Sequence, residues 1–142
     1  MLKAMVGLFF TVLLFGSCGY AWVAGGREGR WIGLMVLVAA TLSVPASYLD
    51  HGWSHTQLPV LGIDLLLLAG LLAMALRSRS YWPLWMVAFH LISVTTHAAT
   101  IAQPALRPIV YFALQSFWSL PLLLVMVSGI MLDRRAGLRL AP

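Results

Sequence analysis

Three ionisable side chains stand inside long apolar runs of this chain: Asp64, His90 and His97. An ionisable group in hydrocarbon is expensive to hold, so each such residue is expected to have a partner or a task. Neutral polar companions share those runs, among them Ser43, Ser93, Thr96, Thr100, Gln115 and Ser119. His90, Ser93, His97 and Thr100 recur at intervals of three, four and three, a spacing that keeps them on one helical face. The remaining histidines fall in the stretch Asp50-His51-Gly52-Trp53-Ser54-His55.

Three kinds of chemistry suit these residues. The first is metal or haem ligation, since imidazole is a common ligand and can hold haem iron axially. Asp50, His51 and His55 could supply part of a transition-metal site in the outer loop. His90 and His97 lie on one helix and cannot provide both axial ligands of one haem, so a bis-histidine haem needs His51, His55 or another subunit. The second is an acid–imidazole proton path through Asp64 and His97, as transporters use. The other half of the spans offers no matching ionisable group by this reading, so a complete path through the chain alone is not expected. The third is a hydrogen-bonded joint, in which an Asp–His pair with Gln115 and serines ties membrane helices together. This last reading is preferred, with no cofactor.

Other chemistries lack their residues. HExxH and GxSxG do not occur, so neither a metalloprotease helix nor a nucleophile elbow is expected. Cys18 is the only cysteine, which rules out an internal disulfide and CxxC chemistry. The run Gly25-Gly26-Arg27-Glu28-Gly29-Arg30 reads as a solvated turn carrying topogenic charge. Catalysis is not expected.

The elements that must position these residues follow from hydropathy. The 142 residues are 61% hydrophobic and 9% charged, with mean hydropathy +0.92; a soluble domain carries roughly 25% charged residues. Crossing the bilayer takes about 20 mostly apolar residues, and five segments qualify, near 4–24, 31–49, 58–76, 81–102 and 109–132. Short connections between them predict one all-α domain, an up-down bundle of about five transmembrane helices. Gly25-Gly26 suits a helix end, Pro59 and Pro83 suit first turns, and Pro45 and Pro121 should kink spans two and five.

Charge sets an orientation. Arg27, Arg30, Arg77, Arg79, Arg134, Arg135 and Arg139 fall at one end, Lys3 and Arg107 at the other. Basic residues collect in the cytoplasm, so the N-terminus is expected outside and the C-terminus inside. Trp22, Trp31, Tyr81, Trp82 and Trp85 should then form the cytoplasmic aromatic belt, and Tyr48, Trp53 and Tyr111 the outer one. The net charge of +5 is accounted for this way, and nucleic acid is not an expected partner. From helical rise, Asp64, His97, Gln115 and Ser43 all lie roughly 8–9 Å inside the outer boundary. Leu14-Phe15-Gly16-Ser17-Cys18 loosely matches a lipoprotein signal with an acylated cysteine; Cys18 as a small apolar residue in an uncleaved helix is the expectation. Ala69 and Ala73, with Gly62 and Gly70, are small residues that allow close helix approach.

The stretch Ile63-Asp64-Leu65-Leu66-Leu67-Leu68-Ala69-Gly70-Leu71-Leu72-Ala73-Met74-Ala75-Leu76-Arg77, followed by Tyr81-Trp82-Pro83-Leu84-Trp85, resembles a set of uncharacterised small multi-spanning inner-membrane proteins of Alphaproteobacteria. The resemblance implies a bacterial inner-membrane location and no mechanism. The expected function is a non-catalytic accessory or assembly subunit of a larger membrane complex. Its partners are lipid, other membrane subunits or further copies of itself. The alternatives are a redox accessory subunit holding haem or metal through histidine, and a small proton-coupled transporter or channel.

Overall fold

In the computed structural model, which describes residues 2–49, 57–103 and 108–137, the chain forms five helices and no strand among those residues. They are α1 (Leu2–Ala24), α2 (Gly26–Leu49), α3 (Leu58–Arg77), α4 (Trp82–Ala102) and α5 (Pro108–Arg135). Each is long and apolar enough to cross a membrane. Every helix packs against its neighbours in sequence, and α5 returns to α1 to close the bundle. Pro59 and Pro83 occupy the first turns of α3 and α4, where a missing N–H interrupts nothing.

The connection between α1 and α2 differs from expectation. Residues 25–30 are not a solvated turn; Gly25 alone separates two helices, and Arg27, Glu28 and Arg30 belong to the start of α2. The reversal uses Gly26 at φ 60°, a left-handed backbone that costs a residue with a Cβ about 1–2 kcal/mol. Gly25 in the link, with Gly29 and Gly33 on one face of α2, lies against α1 at Ala21. A Cβ on Gly25 would lie 2.5 Å from the Ala21 oxygen, and one on Gly33 would lie 3.3 Å from the Ala21 Cβ. This small-residue spacing of four is a known device for close helix approach in membranes. The expected Ala69–Ala73 pair, by contrast, is exposed; α3 instead meets α2 at Gly70, which faces Met35.

The apolar core occupies the arginine-rich half of the bundle. It joins Leu14, Cys18 and Ala21 of α1 and Ile32 and Val36 of α2 to Leu71 of α3. Trp82 and Met86 of α4, with Leu122, Leu123, Met126 and Ile130 of α5, complete it. Trp82 lies against Gly129 with no room for a Cβ there. Trp82 is therefore a core residue and not part of an aromatic belt, whereas Trp22, Trp31, Tyr81, Trp85 and Tyr48 are exposed as expected of one. Beyond this core the other half of the bundle carries a network of polar contacts between helices.

Candidate functional site

Those contacts centre on Asp64, a buried residue of α3. His97, on α4 and fully buried, brings Nε2 to 3.0 Å from Asp64 Oδ2. Gln115, on α5, donates from Nε2 to the same Oδ2 at 2.7 Å, and that nitrogen lies 2.9 Å from His97 Nε2. Tyr111, one turn earlier on α5, places its hydroxyl 2.6 Å from His97 Nδ1, with the two rings edge to face at 5.5 Å. The backbone N–H of Gln57, just before α3, donates to the Tyr111 oxygen at 3.3 Å. His90 reaches the Asp64 backbone carbonyl with Nε2 at 2.9 Å. Two histidines of one α4 face thus grip the same α3 residue, by its side chain and by its backbone.

The hydrogens follow from the partners. A carbonyl only accepts, so His90 carries its hydrogen on Nε2. With Asp64 ionised, Oδ2 only accepts, so His97 presents its hydrogen there on Nε2. His97 Nδ1 is then the acceptor of the Tyr111 hydroxyl, whose oxygen also accepts from Gln57 N–H. Oδ2 thus receives two charge-assisted N–H donors. Buried polar groups in such a network are favourable only when satisfied together.

Of the residues singled out from sequence, Asp64, His90, His97 and Gln115 come together. Ser43 and Ser119 do not join them: Ser43 bonds the Ala39 carbonyl of its own helix, and Ser119 bonds the carbonyls of Gln115 and Ser116. Ser93, Thr96 and Thr100 lie buried along the same α4 face, where Thr96 and Thr100 bond carbonyls of α4 itself. Asp50, His51 and His55 lie outside the described residues. Sequence reasoning missed Tyr111, assigned to the outer belt yet buried, and Gln57, assigned to a loop. The signal available was the four-residue spacing of Tyr111 and Gln115, which puts both on one face of α5.

As a ligand set the network is already committed. Both ring nitrogens of His97 face protein partners, and Nε2 of His90 is bonded to backbone. Iron or another metal at His97 would have to displace Asp64 and Gln115, or Tyr111. Among the described residues no three His, Cys, Asp or Glu side chains are grouped to hold a metal ion.

A second polar cluster lies at the arginine-rich end. Asp133 of α5 is buried and accepts from the Ser80 hydroxyl at 2.6 Å and from the Trp82 indole N–H at 2.9 Å. Glu28 of α2 is hydrogen-bonded to the Ser78 side chain, and its Oε1 is buried with no hydrogen-bond partner. The expectation that the spans of this half hold no matching ionisable group is therefore corrected, since Glu28 and Asp133 lie within α2 and α5. α2 begins earlier and α5 ends later than hydropathy suggests, and each extension brings in a carboxylate. The chain matches no protein-family model, no curated protein and no solved structure in the comparisons made with each; the functional reading rests on this geometry.

Proposed function

We propose that this chain is a non-catalytic integral membrane protein of a bacterial inner membrane, acting as an accessory or assembly subunit of a larger membrane complex. The observation that carries the reading is the commitment of the Asp64 network to the bundle itself. His97 has both nitrogens engaged, Asp64 Oδ2 takes two donors, and the partners come from α3, α4 and α5. Such a centre joins helices. The α1 helix supports association further: Met5, Leu8, Phe9 and Val12 are exposed, so this face is offered to another membrane chain or to lipid.

Orientation follows from charge. The arginine-rich end takes the cytoplasmic side and the Asp64 network lies in the outer leaflet, with the N-terminus outside. Native mass spectrometry of the gently extracted protein tests the main reading. A stoichiometric co-purifying membrane chain is expected; a bare chain of 15.6 kDa at every detergent strength sinks it.

One observation favours a second reading, a small proton-coupled transporter. α4 connects buried carboxylates at both ends of the bundle, Asp64 through His97 and Asp133 through Trp82. Proton flux into liposomes holding the chain, abolished by Asp64→Asn, would support that reading, and flux equal to empty liposomes removes it.

A further inference from the structure

We propose that the Asp64–His97–Gln115 triangle is a proton-binding site, in which one proton adds to Oδ2 of Asp64 and the Gln115 amide turns over to receive it. The inference deepens the transport reading but needs only the site's geometry, whether the proton moves on or stays.

The three polar atoms at its centre lie within 3.0 Å of one another: His97 Nε2 to Asp64 Oδ2, Gln115 Nε2 to Oδ2 at 2.7 Å, and the two nitrogens at 2.9 Å. Both nitrogens bear hydrogen when Asp64 is a carboxylate, so the contact between them has no acceptor. Only the charge on Oδ2, drawing both N–H groups inward, holds them together. Nothing else fixes the amide. The Gln115 oxygen is buried and takes no hydrogen bond, so its orientation depends on Oδ2 alone.

Turning the amide over exchanges its ends and puts Oε1 into the triangle. There it accepts the His97 N–H, but it also faces Oδ2 at hydrogen-bond distance. Two acceptors that close repel if Asp64 is a carboxylate and bond if it is a carboxylic acid, since O–H then donates to Oε1. Amide orientation and the proton on Asp64 are therefore one variable. Asparagine and glutamine amides suit this role because their two ends are nearly isosteric and opposite in hydrogen-bonding sense.

The balance is simple. One proton from the aqueous side forms an O–H bond at Oδ2, no bond to a heavy atom breaks, and the charge of the network goes from −1 to 0. His97 stays neutral with hydrogen on Nε2, and the Tyr111 hydroxyl continues to donate to Nδ1. The groups facing the site are Asp64 from α3, His97 and His90 from α4, Tyr111 and Gln115 from α5, and Gln57 ahead of α3. In this half α2 offers only Tyr48, which is exposed, and α1 has Lys3 in its first turn.

Infrared difference spectroscopy on the full chain in nanodiscs, acid minus neutral, tests the proposal. The wild type should gain a carboxylic-acid carbonyl band together with a shifted side-chain amide carbonyl. Asp64→Asn should lose both, and Gln115→Leu only the amide signal. If Asp64→Asn does not fold, 13C-aspartate in a chain carrying Asp50→Asn and Asp133→Asn reports Asp64 alone, the remaining aspartate of the sequence. A carboxyl band with an amide signal unchanged from that of Gln115→Leu overturns the coupling. An imidazolium signature lost in His97→Gln, or no Asp64 carboxyl band at any pH at which the chain stays folded, overturns the site. A bare chain by mass spectrometry or absent flux would bear on the preceding readings and leave this test untouched.

Discussion

Replacing Asp64 by leucine removes the acceptor shared by two buried N–H groups, those of Gln115 at 2.7 Å and His97 at 3.0 Å. Hydrogen bonds between membrane helices contribute roughly 0.6 kcal/mol on average and at most about 1.7 kcal/mol. Two such bonds give an expected loss of about 1–3 kcal/mol, since leucine cannot satisfy either donor. The informative measurement is a cycle with His97→Leu, read by equilibrium unfolding in mixed micelles. His97 contacts both Asp64 and Tyr111, so once it is gone the Asp64 substitution strands only the Gln115 amide. The double variant should therefore lose less than the sum of the single losses, by the strength of the direct Asp64–His97 bond. A coupling of about 0.6–1.7 kcal/mol is expected. Losses that add to within about 0.3 kcal/mol, the usual behaviour of independent sites, would refute the reading of one joined network.

Further outcomes follow from other contacts. Gly129→Ala places a methyl where the Trp82 side chain lies and should lower stability by about 1–3 kcal/mol through overpacking, while Gly62→Ala, with nothing within 4 Å, should stay within about 0.5 kcal/mol of wild type; parallel melts compare the two. Gly26→Ala forces a Cβ onto a backbone at φ 60° and should cost about 1–2 kcal/mol, read as a lower unfolding midpoint. Asp133→Ala leaves the Ser80 hydroxyl and the Trp82 indole N–H without their acceptor, with an expected loss of about 1–3 kcal/mol and a change in tryptophan fluorescence. For the orientation, a Cys18→Ala chain carrying a new cysteine at Ala136 should resist an impermeant thiol reagent in intact cells and react once they are opened; labelling in intact cells would reverse the assigned topology.

The legible and illegible parts of this chain divide along physical lines. Five apolar runs of spanning length are a strong one-dimensional signal, so α3 and α4 begin and end within a residue or so of their expected bounds. The start of α2 and the end of α5 were not legible, because charged residues at a membrane boundary look like loop to a hydropathy measure. Arg27, Glu28 and Asp133 are nonetheless helical, and Gly26 makes the reversal without a loop. Asp64, His90 and His97 could be singled out because ionisable groups are rare in apolar text. Tyr111 and Gln57 could not: tyrosine is ordinary near an interface, and only the packing of α5 against α4 shows that its hydroxyl meets a histidine ring. The three-way contact at Gln115 likewise depends on the relative rotation of α3, α4 and α5, which no periodicity encodes.

The two polar clusters also explain how α4 finds its place. Within a bilayer the lipid tails are as apolar as the helix faces, so burying Met86, Leu71 and Leu123 against each other gives little directional preference along the axis. Dispersion rewards close packing, and leucine and methionine can repack after a shift of one turn, about 5.4 Å. Directed bonds cannot. At one end His97 and His90 must meet the side chain and the carbonyl of Asp64, and at the other the Trp82 indole must meet Asp133. A slide of α4 by one turn would break all of these together and leave buried donors facing hydrocarbon. The apolar core therefore holds the helices together while the polar contacts choose their register. This division of labour explains why costly ionisable groups sit near each end of the bundle and the fully buried Met86, Leu123 and Met126 lie between them.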